Sequence, residues 1–174
     1  NLEEIAKKMC AKGKGILAAD ESTGTIAKRF KSINVENNEN NRLIFRQTLF
    51  SSNAMKNYIG GVILFDETIK QKTTIGPTIP ELISKNNAIP GIKVDKGAKI
   101  LASSSEETIT EGLDGLRERL KEYYDLGARF TKWRAVYKIG EKFPSPQSIK
   151  SNAHALARYA ALVQEAQMVP IVEP

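Results

Sequence analysis

Five short apolar runs, separated by stretches with helical spacing, constrain the fold of this chain more than any other feature. The runs are Gly15–Ala19, Ile59–Phe65, Ile89–Val94, Ala128–Val136 and Met168–Val172. Most are rich in Ile, Val and Leu, are bounded by Gly or Pro and are too short for helices, so they predict strands. Because apolar and polar residues do not alternate within them, we expect a parallel sheet that is covered on both faces.

Helical patterns fill the intervals between these strands. The clearest helix precedes the fourth strand, with an apolar stripe and a glycine cap at Leu113, Leu116, Leu120, Tyr124 and Gly127. Before the fifth strand, Ser145 and Pro146 are typical of an N-cap and a first helical turn. The remaining intervals predict helices at Thr25–Ile33, Glu39–Ser52 and Pro80–Lys85, loop with partial helix at Asp66–Thr78, and loop at Lys96–Glu107.

Two architectures fit this alternation, a doubly wound open sheet and a (β/α)8 barrel. The chain has 174 residues, of which 41% are apolar, which is enough for one domain with a real core. A complete barrel needs about 250 residues. Five strands therefore predict either a small open sheet or the first part of a barrel.

Composition narrows the functional classes. The net charge of +6 and the pI near 9.4 favour anionic partners, which include phosphorylated metabolites, nucleic acid and acidic surfaces. No interleaving of basic and aromatic residues marks a nucleic-acid surface, so nucleic acid is not expected as a partner. No run approaches the roughly 20 apolar residues that span a bilayer, so no membrane association is expected.

Two residue counts bear on the chemistry. Cys10 is the only cysteine, so no internal disulfide forms and a cytoplasmic location is the simplest expectation. His154 is the only histidine and lies in a helical pattern, which argues against a histidine-based metal site and against a serine–histidine–aspartate triad.

Charged residues interrupt or follow the apolar runs. Lys93 and Asp95 share one side of the third strand, and Lys132 and Arg134 share one side of the fourth. If these strands are neighbours, that side carries three cations and one carboxylate, which would attract phosphate. The alternative is a structural ion-pair network. Ligands of barrels and open α/β sheets bind at the carboxyl ends of strands, where these charges occur.

Other charges are less informative. Asp66 and Glu67 follow the second strand and are expected mostly to face solvent. Arg29 and Arg42 follow the first strand on helices, where a solvated face is the default, although both could reach a phosphate.

Six segments, taken in order along the chain, resemble motifs of the class I fructose-bisphosphate aldolases. They are Gly13–Gly24, Gly60–Phe65, Gly91–Gly97, Gly112–Leu116, Lys132–Arg134 and Val169–Pro174. The resemblance implies a metal-free (β/α)8 TIM barrel without a cofactor, usually a homotetramer. It also implies cleavage of fructose 1,6-bisphosphate to dihydroxyacetone phosphate and glyceraldehyde 3-phosphate, and the reverse, in glycolysis and gluconeogenesis.

The resemblance further implies that residues 1–174 are the N-terminal part of a single TIM-barrel domain that ends here after strand five. The lysine that forms the Schiff base belongs to a sixth strand, beyond residue 174. The chain by itself is therefore expected to be inactive.

Residue roles follow from the same resemblance. Asp20 would handle a substrate hydroxyl during carbon–carbon cleavage, Lys132 would assist carbinolamine formation and dehydration, and Glu173 would be a general acid and base. The substrate-binding residues would be Lys93, near a phosphate, Arg134, which orders the active-site charges, and Ser22, Thr25, Arg29 and Arg42 around one phosphate end. A non-catalytic, aldolase-like binding or scaffolding protein is the alternative, and another Schiff-base enzyme acting on phosphosugars is a further one.

Overall fold

The computed structural model describes residues 1–174 as one layered α/β unit. Its strands are β1 Gly15–Ala19, β2 Ile59–Leu64, β3 Ile89–Lys93, β4 Ala98–Ile100, β5 Thr108–Thr110, β6 Phe130–Arg134 and β7 Val169–Glu173. Its helices are α1 Leu2–Met9, α2 Thr23–Ser32, α3 Glu39–Phe50, α4 Ala54–Tyr58, α5 Asp66–Ile69, α6 Ile79–Lys85, α7 Leu116–Asp125 and α8 Pro146–Glu165. None of these helices is both long and apolar enough to cross a lipid bilayer.

The five predicted strands form one parallel sheet in the order β1-β2-β3-β6-β7. Each strand therefore lies beside its predecessor along the chain, apart from the small β4–β5 hairpin. A doubly wound sheet reverses its strand order at a switch point, whereas a barrel adds strands in sequence. The observed order is that of a half-barrel, which confirms the barrel over the open sheet.

The two faces of the sheet have different partners. Alternate residues of each strand, such as Val62, Ile92 and Trp133, pack with the helices in a core of 22 buried residues. Tyr159 of α8 packs against Trp133 in this layer, and its hydroxyl lies 2.6 Å from Thr131 Oγ1. The opposite face carries a smaller apolar cluster of Met9, Ile63, Ile89 and Phe130, of which Ile89 and Phe130 are the first residues of β3 and β6.

Most of the predicted helices are confirmed, with shifts at their ends. Ser145 is the N-cap of α8, and its hydroxyl accepts a hydrogen bond from the amide of Ser148. Helix α7 begins at Leu116 because Gly115 adopts a left-handed conformation, so Leu113 packs on the core from outside the helix. The sequence patterns gave no expectation for α1, which opens with a capping box between Asn1 and Glu4.

The prediction of loop for residues 96–107 is wrong in part, because β4 and β5 form an antiparallel hairpin. Buried Glu107 fixes this hairpin to α8, since its carboxylate accepts hydrogen bonds from the amide and the hydroxyl of Ser145 at 2.8 and 2.6 Å. Asn152 of α8 adds a bond to the carbonyl of Thr108. Because these partners are about 40 residues apart in the sequence, a local pattern cannot predict them.

Helix α1 lies against β2 at a point where only glycine fits. A Cβ atom on Gly60 would approach the main-chain oxygen of Met9 to 2.2 Å, well inside van der Waals contact. Met9 is the buried end of α1 and belongs to the apolar cluster on the inner face. The absence of a side chain at Gly60 therefore allows the C-terminal end of α1 to approach β2 directly.

We expect Gly60→Ala to destabilise the fold by about 1–3 kcal/mol, the usual cost of overpacking a core. Gly15→Ala is the matched control, because a Cβ at that position in β1 would meet only Tyr58 O, at an ordinary 3.9 Å. Urea unfolding of both variants measures the effect. Equal midpoints for the two variants would show that α1 does not require this close approach.

Candidate active site

A cavity of about 940 Å³ opens at the carboxyl ends of the parallel strands. Six of the predicted site residues line it, namely Asp20, Ser22, Thr25, Lys93, Lys132 and Arg134. Glu173 does not line this cavity, but its carboxylate contacts two of those six. The structure thus brings seven of the nine predicted residues together at the end of the sheet where barrels bind their ligands.

Lys132 lies at the centre of this group. Its Nζ is 3.0 Å from Asp20 Oδ2 and 3.3 Å from Glu173 Oε2. The side chains of Lys132 and Asp20 are only 14% and 10% exposed, and that of Glu173 is 41% exposed. The ammonium is therefore held between a buried and a half-exposed carboxylate from two other segments.

The contact between Lys132 and Asp20 depends on the curvature of the sheet. Strand β6 is three positions from β1, so a flat sheet would set the two strands about 14 Å apart at the usual interstrand spacing. Side chains stand roughly perpendicular to a sheet, so flat strands at that distance would not bring these groups together. The ion pair therefore crosses the concave side of the half-barrel.

The surroundings of Lys132 act on its pKa in opposite directions. Burial lowers the pKa of this ammonium, but the hydrogen bond to Asp20 and the charges of Asp20 and Glu173 outweigh burial, and the net pKa is raised above 10.5. The stability that this pairing adds to the folded state is thus fully present below the pKa that Lys132 has in the unfolded chain. It is lost as the pH rises through the higher pKa of Lys132 in the folded protein. The direction of this shift favours the charged ammonium of Lys132 over the free amine.

Lys93 and Arg134 lie beside Lys132 on the same side of the sheet. Strands β3 and β6 are neighbours, which is the condition for the predicted charge cluster, and their register pairs Lys93 with Lys132. Lys93 Nζ donates to Asp95 Oδ1 at 2.7 Å. Asp95 also accepts from the amide of Gly97 at 3.0 Å, which fixes the turn after β3. Arg134 is largely exposed, with its Nε 3.8 Å from Glu173 Oε1.

Ser22 and Thr25 mark the start of α2 beside the cavity. Ser22 is the N-cap, its hydroxyl accepts from the amide of Thr25 at 3.4 Å, and the two hydroxyl oxygens are 3.2 Å apart. The first turn of a helix presents free amides and the positive end of the helix dipole, which favour anions. Two hydroxyls are therefore available at an anion-favouring helix terminus.

The structure does not bring Arg29 and Arg42 into the cavity. Arg29 forms an ion pair with Glu21. Arg42 donates from Nε and Nη2 to both carboxylate oxygens of Glu67, at 2.8 and 2.6 Å, which raises the pKa of Arg42 and lowers that of Glu67. Each arginine is thus ion-paired with a carboxylate. Glu67 had been expected to face solvent, and Glu21 had been given no role.

Three lining residues, Lys70, Arg119 and Tyr123, were not singled out from the sequence. Lys70 bridges Asp66 and Glu122 at 3.0 and 3.1 Å, and Tyr123 donates to Asp66 at 2.7 Å. Burial, together with the hydrogen bond and charge of Asp66, raises the pKa of Tyr123 to about 12.

The available sequence signal for these residues was weak. Arg119 follows Leu116 by three positions and so lies beside the buried stripe of α7, where a basic residue could have been noticed. No pattern predicted Lys70, because α5 has only four residues. No three His, Cys, Asp or Glu side chains come together as a possible metal site.

The sequential strand order, the curvature and the charged cavity at the carboxyl ends define an α/β half-barrel with a candidate active site of barrel type. The family model described as "Fructose-bisphosphate aldolase class-I" matches residues 1–174. The chain belongs to this class I fructose-bisphosphate aldolase family.

Individual relatives agree with that assignment. A "Probable fructose-bisphosphate aldolase class 1" of Xanthomonas axonopodis pv. citri (strain 306) is 59% identical over 99% of this chain and 52% of its own length. "Fructose-bisphosphate aldolase 5, cytosolic" of Arabidopsis thaliana is 58% identical over 99% and 48%. The chain thus spans about half the length of the curated relatives that it matches.

A solved structure matches the fold closely. It is a fructose-bisphosphate aldolase from Plasmodium falciparum, crystallised in complex with TRAP and a small-molecule inhibitor. That protein superposes with a TM-score of 0.95 at 50% identity, over 98% of this chain and 50% of its own. The described fold is therefore that of an aldolase half-barrel.

We expect Asp20→Asn to lower the pKa of Lys132, because the substitution removes the strongest opponent of the burial effect. The measurement is a pH titration of ¹³C-methylated lysines by NMR, with the Lys132 resonance assigned through Lys132→Arg. Asp125→Asn is the control, since it removes the exposed partner of Lys121 on α7. An unchanged pKa in Asp20→Asn would contradict the ion pair.

Proposed function

We propose that the protein carrying this chain is a lyase that cleaves fructose 1,6-bisphosphate to dihydroxyacetone phosphate and glyceraldehyde 3-phosphate. It also catalyses the reverse aldol condensation, in glycolysis and gluconeogenesis. The observation that carries the proposal is the placement of Lys132 between Asp20 and Glu173 in the cavity, in a chain of the class I aldolase family.

The chemistry needs an electron sink, because the bond that breaks lies beside a ketone. A protonated imine between that ketone and a lysine supplies the sink. The imine-forming lysine, in this proposal, lies on a sixth strand outside residues 1–174. The raised pKa of Lys132 supports this division, because an ammonium is not a nucleophile.

Lys132 and its two carboxylates move the protons of the reaction. The Lys132 ammonium donates a proton to the carbinolamine hydroxyl, which leaves as water when the imine forms. Glu173, half-exposed and 3.3 Å from Lys132 Nζ, takes up a proton from solvent and passes it to that lysine. Asp20 accepts the proton of the substrate hydroxyl next to the cleaved bond. Acid–base steps of this kind are typically worth 10²–10⁴-fold in rate.

The two phosphates of the substrate require separated anion-binding groups. Lys93 and Arg134 lie along β3 and β6, while Ser22 and Thr25 lie at the amino end of α2. For Arg29 and Arg42 to contribute, each would exchange its present carboxylate partner for phosphate oxygen.

Further properties of the whole protein belong to this proposal. Residues 1–174 are the N-terminal part of a single TIM-barrel domain, the assembly is a homotetramer and the enzyme uses no cofactor. A cytoplasmic location is supported by the lone Cys10, which is exposed and free, and by the cytosolic relatives in Arabidopsis.

A second candidate is a non-catalytic, aldolase-like binding or scaffolding role. The specific observation in its favour is the Plasmodium aldolase that was crystallised in complex with TRAP. The two roles differ in whether a covalent intermediate forms.

We expect borohydride reduction of the whole protein in the presence of dihydroxyacetone phosphate to trap one covalent adduct. Peptide mass mapping should place the adduct on a lysine outside residues 1–174. An adduct on Lys132 would overturn the assigned roles, and a protein that forms no adduct would favour the binding role.

We expect Lys132→Ala to reduce kcat for fructose 1,6-bisphosphate cleavage in the whole protein by roughly 10²–10⁴-fold, because the proton donor is lost. Lys121→Ala is the matched control on an exposed face of α7. A coupled assay for the triose phosphate products measures both variants. Near-normal turnover in Lys132→Ala would remove this residue from the mechanism.

A further inference from the structure

Arg46 is the most deeply buried charged side chain of the protein, with 1% of its surface exposed. It lies on α3 behind the cavity and does not line it. None of the roles proposed above uses it.

The guanidinium of Arg46 connects two segments that follow neighbouring strands. Its Nη2 donates to the main-chain oxygen of Glu21 at 2.5 Å, and its Nη1 donates to Thr68 Oγ1 at 2.7 Å. Glu21 comes just after β1, and Thr68 comes just after β2, in α5. The Phe65 ring covers the guanidinium, with its centroid 5.8 Å away.

Burial of this charge is not explained by stability alone. Desolvation lowers the pKa of Arg46, and the charges of Glu21, Glu67 and Asp20 only partly oppose it. Arg46 Nε and Glu21 Oε2 are both buried and have no hydrogen-bond partner in the protein. Replacement of buried ionic groups by well-packed apolar residues is often neutral or stabilising. A buried arginine whose Nε has no partner therefore points to a role in placing its neighbours.

The segment that Arg46 holds is the one that carries Asp20. The pairing of β1 with β2 ends at Ala19 and Leu64, so Asp20 and Glu21 lie beyond the strand ladder. The bond from Arg46 to the Glu21 carbonyl restrains the main chain one residue after Asp20.

We propose that Arg46 is a positioning residue that, by holding the main chain at Glu21, keeps the Asp20 carboxylate within hydrogen-bond reach of Lys132. Its effect on turnover rests on the proposed function, whereas its effect on the ion pair does not. Arg46 touches neither the cavity nor the reacting groups, and it acts through the backbone of its neighbour.

Two consequences of removing Arg46 have opposite signs at Lys132. Loss of a nearby positive charge would by itself raise the pKa of the Lys132 ammonium, because less repulsion opposes its charge. Release of Asp20 would lower that pKa, because the hydrogen bond and the attraction to the carboxylate weaken. The direction of the change therefore distinguishes positioning from a simple charge effect.

The test is the ¹³C-methyl-lysine titration of the whole protein in Arg46→Met and Arg46→Lys. We expect the pKa of Lys132 to fall in both. Arg46→Lys keeps the positive charge but removes the guanidinium that donates to both Glu21 and Thr68. This variant therefore provides the test of positioning if Arg46→Met does not fold. A pKa that is unchanged or raised in the folded variants would overturn the proposal.

Arg129→Met is the matched control. Arg129 also donates to main-chain carbonyls, those of Tyr124 and Ala128, and stacks on the Tyr124 ring, but it precedes β6 at the far end of the sheet. We expect it to leave the pKa of Lys132 unchanged. A fall equal to that of the Arg46 variants would show a general effect of destabilisation and would overturn the proposal.

Steady-state kinetics give the second readout. We expect the Arg46 variants to lose roughly 10–100-fold in kcat with little change in KM, the scale of a misplacement near 1 Å, while Arg129→Met keeps its kcat. A rise in KM alone would count against positioning of Asp20. If the wild-type protein cleaves no sugar bisphosphate, the proposed function fails, and the titration still decides the role of Arg46.

Discussion

The contact of Lys132 with Asp20 and Glu173 depends on three segments meeting at one point, and the strand order and curvature of the sheet bring them there. Asp20 follows β1, Lys132 belongs to β6 and Glu173 ends β7, so the contact forms only because the sheet curves enough to bring β1 opposite β6. The cost of burying the Lys132 ammonium is offset by two carboxylates, which hold it in the charged form. The charged state of Lys132 therefore depends on the curvature of the sheet, because the curvature brings Asp20 to it.

Around that contact, most of the basic groups near the cavity have carboxylate partners, and these pairs differ in how readily they would open. The Arg29 guanidinium is half-exposed, whereas the Glu21 carboxylate is largely buried, so solvent screens this pair only in part. Arg42 donates twice to Glu67 in a part-buried setting, and hydrogen bonds to charged groups contribute roughly 1.5–3 kcal/mol each. A phosphate would thus reach the half-exposed Arg29 more easily than Arg42, which is largely buried and holds Glu67 with two hydrogen bonds. Pairing also keeps the cavity from being a region of unopposed positive charge.

Local sequence patterns predicted the parts of the fold that depend on local physics. The five strands, the start of α8 at Ser145 and the shared side of Lys132 and Arg134 followed from apolar runs, capping and two-residue periodicity. The partners of Arg42 and Glu107, and the placement of Arg46, could not be predicted, because each depends on a residue 22 to 38 positions away. For the same reason, the role of each charge at the strand ends came from the family resemblance and not from spacing.

The inner face of β6 shows how one strand serves both stability and chemistry. Phe130 is fully buried near the amino end, where its ring covers Gly91 and packs with Met9 and Ile63. Two residues further on, the same face presents Lys132 to Asp20 and Glu173. Apolar packing at one end holds the strands together, and this allows the other end to keep paired charges beside the cavity. A substitution at Phe130 is therefore expected to act first on folding, whereas one at Lys132 acts, under the proposed function, first on chemistry.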